Sequence, residues 1–371
     1  MNHVTALALV LIPLLMLLTA APAARAAEPK PLRQAAGGKF LVGTAFMASA
    51  LDDPATAKLI AEQFDSLTAE NEFKPSSLQP EPGKFKFEQA DRLVAFAQEH
   101  DMKVVGHTLV WHSQAPKWLF ADESGKPLPR EQALANMKAH IDAVAGHFKG
   151  KVIGWDVVNE AISDKGDEYL RDTPALRAIG PDYIAKAFEF AAAADPGAEL
   201  YYNDYSNENP GKREKTLRLL KELKAAGVKV DGVGIQGHWM LGGPDAKTID
   251  DAIGAFKRAG VKVMITELDV DVLPRRQGGA DVAAREQGGA DPYKDGLPPD
   301  VARKQANRYA EMFRVFDKHK DAVTRVTFWG VHDGRSWLNN WPVRGRTNHP
   351  LLWDRQMKPK PALEAVLKEL E

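Results

Sequence analysis

The chain has 371 residues, 44% hydrophobic and 27% charged, with a formal net charge of −1. The composition is globular, and the charge balance gives no footing for a nucleic-acid partner or an anionic membrane surface. There is no cysteine, which excludes disulfides and thiol chemistry. The length suits one large domain or two ordinary ones, and single α/β barrels reach it.

Residues 4–18 are almost purely apolar, and Ala24-Arg25-Ala26 places small residues where a signal peptidase cuts. This organisation predicts a secretory signal over 1–26 and export to the periplasm or the medium. The apolar run is too short for an ordinary membrane span, so no membrane association is expected after cleavage. A Pro/Ala/Gly-rich stretch, 27–38, reads as a linker to a single domain over 39–371.

From there, short apolar runs alternate with amphipathic stretches. The runs are 40–46, 65–70, 103–111, 151–160, 199–205, 232–238, 261–270 and 323–331. Each reads as a buried strand. Leu134, Met137, Ile141, Val144 and Phe148 recur at helical spacing, as do Ile249, Ala252, Ile253 and Phe256, and Tyr309, Met312, Phe313 and Phe316. These stripes are read as core packing. For the second of these stripes, Thr248 and Asp251 mark the expected start and Gly260 the stop. Strand followed by helix, eight times, with near-continuous apolar strands, predicts an α/β fold: a (β/α)8 TIM barrel. The alternative is a doubly wound open sheet, but the first strand is followed by no Gly-rich dinucleotide fingerprint.

Nearly every strand ends on polar or aromatic residues. They include Glu70 and Asn71, His107 and Trp111, Asn159 and Glu160, Asn203 to Tyr205, Gln236 and His238, Glu267 and Asp269, and Trp329 and His332. Burying such groups costs free energy unless partners compensate, and in a barrel they gather at the C-terminal face, where active sites lie. Two glutamates end apolar runs far apart in sequence. Cleavage of an acetal needs a proton for the leaving oxygen and stabilisation of a cationic sugar carbon, and two carboxyls supply both. Glu267, deep in its run, suits a fixed nucleophile; Glu160, at a tip beside Asn159, suits proton transfer. Burial near a second carboxylate should place the pKa of Glu160 above that of Glu267. Asn159 and Glu160 are adjacent, so a regular strand would point them to opposite faces; the strand must end or bulge there.

Five blocks resemble those of glycoside hydrolase family 10, the endo-1,4-β-xylanases, in the family's order: TAENEFKP (68–75), GHTLVWHSQ (106–114), WDVVNE (155–160), GVGIQGH (232–238) and ITELDV (265–270). The similarity runs from about Phe40 to the C-terminus. The resemblance implies a (β/α)8 barrel that hydrolyses xylan with retention and without a cofactor. It implies Glu160 as general acid/base and Glu267 as nucleophile, with Asn159 on the sugar 2-hydroxyl and His238 bracing the nucleophile. Asn71, Lys74, His107, Trp111 and Gln236 correspond to the lining of the glycone side, and Trp329 and Trp337 to its floor and roof. Asn203, Asp204 and Tyr205 correspond to a supporting block on the leaving-group side. Phe73 replaces a usual methionine, and Val105 stands where arginine is common.

The residues read alone agree. Lys74 is a cation among carboxylates, able to hold a sugar hydroxyl or offset charge. Trp111, Trp329 and Trp337 offer flat faces to sugar C–H surfaces, whereas Trp155 reads as core. His107 and His112 could form a metal pair, but the first strand tip, Thr44-Ala45-Phe46, lacks the His-X-His of barrel zinc hydrolases, so no metal is expected. The expected partner is xylan or a xylo-oligosaccharide, met by a monomer. A β-glucanase and a catalytically silent sugar-binding barrel are the alternatives. The segment 274–299 is long, Gly- and Pro-rich, and carries an approximate repeat (276–281 and 286–291); it is either a mobile insertion or a lid that meets substrate.

Overall fold

The computed structural model describes residues 30–274, 280–286 and 288–371. The expected signal, 1–26, lies outside the described residues, as do 275–279 and 287 of the repeat-bearing segment. Among the described residues no helix is long and apolar enough to cross a membrane.

The described residues form nine strands: β1 (Leu41–Phe46), β2 (Ser66–Ala69), β3 (Lys103–Trp111), β4 (Gly154–Asn159), β5 (Glu199–Asp204), β6 (Gly232–Ile235), β7 (His238–Met240), β8 (Lys262–Asp271) and β9 (Val323–Phe328). All named pairings are parallel, in the order β6-β5-β4-β3-β2-β1-β9-β8-β7, and a β6–β8 pairing closes the barrel. Eight strands make the barrel and β7 is a short extension alongside β8. Helices separate consecutive barrel strands, as parallel connections require. The expected (β/α)8 barrel is what forms, and the alternative, an open sheet, is excluded.

The run 232–238 is two strands rather than one. Gly237 adopts φ +83°, a conformation that favours glycine, and the chain turns there. The preceding Gln236 carbonyl accepts the Glu267 amide at 2.7 Å. The helix expected to start at Thr248 begins earlier, at Ala246, because the Asp245 side chain accepts the Thr248 amide at 2.8 Å; that is N-capping. Within the stretch 27–38, Leu32–Ala36 is a helix with Leu32 and Ala36 buried, and the Leu32 amide donates to Gln63 at 3.0 Å.

Alternation along the strands splits the core in two. Val104, Leu200 and Val263 face the helices and belong to the main cluster. Val105, Tyr201 and Met264 form a second cluster facing the lumen, where the Arg325 guanidinium lies 5.5 Å from the Tyr201 ring. Trp155 is fully buried, between Phe73 and Phe148. Each such aromatic contributes on the order of 2–3 kcal/mol by leaving water. The segment after β8 is tied down in part: Thr347 N donates to Asp291, and Tyr293 and Leu297 pack on Val272, Leu273 and Val301.

Candidate active site

The site forms where β4 stops. Asn159 is the last residue of β4, and Glu160 takes a left-handed conformation, φ +57°. The turn brings two adjacent side chains to one place, which a continuing strand could not do. Its backbone is held at every polar point. The Glu160 amide donates to the Asn203 carbonyl at 2.9 Å, and the Ala161 and Ile162 amides both donate to the Tyr202 hydroxyl at 3.0 Å. Glu267 lies in β8 where the register with β9 shifts between Ile265 and Leu268, an irregularity that re-aims side chains.

Both carboxyls line one cavity of about 170 Å³. Of the residues expected to be catalytic or to bind the sugar, Asn71, Lys74, His107, Trp111, Asn159, Gln236, His238, Trp329 and Trp337 line it with the two glutamates, and Tyr205 does not. Tyr205 instead lines a larger neighbouring cavity of about 550 Å³, with Asp164, Lys212, Asp281 and Trp341. Glu70, named above only as a strand tip, also lines the smaller cavity, as do Gln114, Ala280 and Val282, to which the sequence reading gave no role.

Glu160 is almost fully buried. Its Oε2 accepts the Trp111 indole N–H at 3.0 Å; its Oε1 accepts Gln236 Nε2 at 3.0 Å and Asn159 Nδ2 at 3.2 Å. Burial nevertheless raises its pKa, and the charge of Glu267 adds to this, against the lowering by those donors. Glu267 behaves oppositely. Burial pushes its pKa up, but the His238 hydrogen bond, the nearby His107 and the Asn203 hydrogen bond bring it below the ordinary carboxylate value. One carboxyl thus tends to keep a proton and the other to shed it.

Two frames hold this pair. In the first, Asn203 Nδ2 donates to Asn159 Oδ1 at 2.9 Å and to Glu267 Oε1 at 2.8 Å, while its Oδ1 accepts the Thr266 hydroxyl at 2.6 Å. In the second, His238 stands between two carboxylates, with Nε2 3.0 Å from Glu267 Oε2 and Nδ1 3.0 Å from Asp269 Oδ2. Burial lowers the pKa of His238, but Asp269 and Glu267 outweigh it and lift the ring to about 9. It is then an imidazolium donating from both nitrogens.

The opposite wall carries a cation and amides. Lys74 is buried and donates to Gln114 Oε1 at 2.7 Å and Asn71 Oδ1 at 3.2 Å, with its ammonium 5.1 Å from the Trp111 ring. Burial lowers its pKa, against the pull of Glu70, Glu267 and Glu160. Glu70 is raised to about 7, chiefly by burial. His107 places Nδ1 2.9 Å from Asp156 Oδ2; a carboxylate accepts, so this nitrogen carries the hydrogen. Trp329 packs edge-on against His107 and His238. Trp337 donates its indole N–H to Asp269 at 2.8 Å and stacks on Trp341 at 4.4 Å. Trp341 Nε1 in turn donates to the Asp281 carbonyl at 3.1 Å, so the roof and the segment after β8 are joined.

One buried carboxyl with a raised pKa and one with a lowered pKa share a cavity between flat indole faces and fixed amides, an arrangement suited to cleaving a glycosidic bond. Among the described residues no group of three or more His, Cys, Asp or Glu is arranged to hold a metal ion.

Comparison with known proteins agrees with this geometry. The model of glycosyl hydrolase family 10 matches residues 31–369. An endo-1,4-β-xylanase A of Xylanibacter ruminicola is 46% identical, over 94% of this chain and 96% of its own length. A β-1,4-xylanase of Dictyoglomus thermophilum is 44% identical, over 84% and 83%. Among solved structures, a family 10 endoxylanase from a sugarcane soil metagenome superposes with a TM-score of 0.87 at 42% identity, covering 91% of this chain and 99% of that one. A mutant solved in complex with xylotriose superposes with a TM-score of 0.83 at 36% identity, covering 91% and 99%. With the family's pattern matched over nearly its whole length, the chain belongs to glycosyl hydrolase family 10.

Proposed function

We propose that the protein is a retaining endo-1,4-β-xylanase in which Glu267 is the nucleophile and Glu160 the acid/base. The observation that carries the assignment is the opposite protonation tendency of two buried glutamates facing one cavity. In the first step Glu267 attacks the anomeric carbon, the C–O bond breaks, and Glu160 gives its proton to the departing xylosyl oxygen. In the second, Glu160, now a carboxylate, takes a proton from water. That water attacks the same carbon and frees Glu267, with net retention.

Asn159 faces the sugar at the cleavage point, where it meets the 2-hydroxyl, while Asn71, Lys74, His107 and Gln236 bind the glycone hydroxyls. Trp111, Trp329 and Trp337 cover its C–H faces. Tyr205, in the larger cavity, serves the leaving-group side. The working unit of this reading is a monomer. The N-terminal apolar run supports export, with the signal over 1–26, a connecting stretch over 27–38 and the catalytic domain beyond it.

The test is a pair of variants. Glu267→Ala and Glu160→Ala each abolish xylan hydrolysis while keeping the wild-type circular dichroism spectrum. On dinitrophenyl β-xylobioside, whose leaving group needs no proton, azide rescues the first with an inverted glycosyl azide and speeds the second to a retained one. Substantial xylanase activity in Glu267→Ala removes its assigned role.

A further inference from the structure

Arg171 is the feature that the two-glutamate scheme leaves unused. It lies on the loop after β4, eleven residues beyond Glu160, and its side chain is 16% exposed. Its Nε donates to the Glu160 carbonyl at 3.1 Å. Its Nη2 donates to the Tyr205 hydroxyl at 2.6 Å and to Asp164 at 2.8 Å. Its Nη1 faces Asp281, from the segment after β8, at 3.8 Å. The guanidinium therefore spans the loops that follow three strands. Its planar fork suits several acceptors held at fixed angles.

The acceptor on Glu160 matters because of the local backbone. A non-glycine residue in the left-handed region costs about 1 kcal/mol or more and persists only where the surroundings determine it. The Glu160 amide and the two amides that follow are held by Asn203 and Tyr202. Arg171 supplies the matching donor for the carbonyl. The partners of Arg171 are themselves anchored, since Lys212 pairs with Asp164 at 2.7 Å and with Asp204 at 2.8 Å.

We propose that Arg171 is a positioning residue for proton transfer: it fixes the main chain of Glu160 and thereby aims its carboxyl at the leaving oxygen. This rests on the acid/base reading of Glu160. The chemistry separates the role from simple scaffolding. When the C–O bond breaks, the electron pair goes to the leaving oxygen. A xylosyl alkoxide needs the proton of Glu160, whereas a dinitrophenolate departs without one.

The experiment compares kcat/KM on xylotetraose with kcat/KM on dinitrophenyl β-xylobioside for the wild type, Glu160→Ala, Arg171→Met and Arg171→Lys. Selective loss on xylotetraose in Glu160→Ala defines the signature of missing acid catalysis; its absence overturns the acid/base reading itself. Given that signature, Arg171→Met lowers xylotetraose cleavage by about 10²-fold, the scale of a general acid's contribution, and cleavage of the dinitrophenyl substrate by roughly threefold at most. Arg171→Lys keeps the charge but cannot reach all acceptors, so it falls between. Equal losses on both substrates, or no loss on either, overturn the proposal. Should Arg171→Met fail to fold, Arg171→Lys is read by the same criterion.

Discussion

His238 bridges Glu267 and Asp269, and its Nε2 contact to Glu267 Oε2 is 3.0 Å. One ring thus sits between two buried carboxylates. The imidazolium keeps Glu267 ionised, and the carboxylates keep the imidazole charged.

Replacing His238 with Gln removes the charge and keeps one donor. Glu267 then loses its strongest opposition to burial, so its pKa rises and the acid limb of kcat/KM moves to higher pH. The stability effect has a defined sign. The folded pKa of His238, about 9, is above its ordinary 6.5. Its contribution is therefore fully present below pH 6.5 and is lost as pH rises through 9. The gap in Tm between wild type and His238→Gln is largest below pH 6.5 and shrinks toward pH 9 and above. A gap that grows with pH contradicts this linkage.

Trp111→Phe keeps a flat apolar face but deletes the indole N–H that donates to Glu160 at 3.0 Å. A donor to a carboxylate favours its charged form. Without it Glu160 holds its proton to higher pH, and the alkaline limb of the kcat/KM profile moves up. A hydrogen bond to a charged group contributes about 1.5–3 kcal/mol, so kcat/KM on xylan falls by roughly one to two orders of magnitude. An unmoved or downward-shifted alkaline limb would count against the assignment of that limb to Glu160.

The roof predicts substrate choice. Trp337 is held by Asp269 and Trp341, and on the proposed placement of the glycone beneath it a hexose would add one hydroxymethyl group there. A group of that size changes discrimination by about 1–3 kcal/mol, or roughly 10- to 200-fold. Xylan is therefore hydrolysed faster than carboxymethylcellulose by that order, and Trp337→Ala narrows the ratio while lowering xylan turnover. Equal rates on the two polymers in the wild type point instead to a mixed glucan/xylan enzyme.

The parts of this site legible from pattern alone are those attached to strands, whereas Asn71, Lys74 and Trp337 lie beyond strand ends and came with the family resemblance. Glu267, His238, Gln236 and Trp111 end apolar runs, and a run fixes both the strand and the end at which its tip emerges. The break after Asn159 followed from two useful side chains being adjacent, although its left-handed form did not. Loop contributors had no such handle. Gln114 bridges Lys74 and Asn71, and Arg171 and Val282 reach the site from stretches without periodicity. Only the folded loops reveal what they touch. Gln114 was within reach, since it closes the block that begins at Gly106. The Asp245 cap was missed because the helix starts upstream of its apolar stripe, where the capping side chain is the only signal.

Gly234 offers a test of the frame from outside the substrate's reach. It sits in β6, and a Cβ placed there would lie 2.1 Å from Asn203 Oδ1 and 2.9 Å from Thr266 Cγ2. Asn203 cannot yield freely, because its amide holds Asn159 and Glu267 and its oxygen accepts Thr266. Gly234→Ala therefore pushes on the group that joins Asn159 to Glu267, the proposed 2-hydroxyl contact and the proposed nucleophile. Overpacking of this kind costs about 1–3 kcal/mol, which lowers Tm by several degrees in a domain of this size. Displacing a reacting group by about 1 Å can cost 10²-fold in rate, so kcat falls by about that factor with little change in KM. Thermal denaturation and xylotetraose kinetics measured on one preparation check both effects. A variant with wild-type kcat would mean that Asn203 can shift without disturbing Glu267, and the frame would lose its role in catalysis.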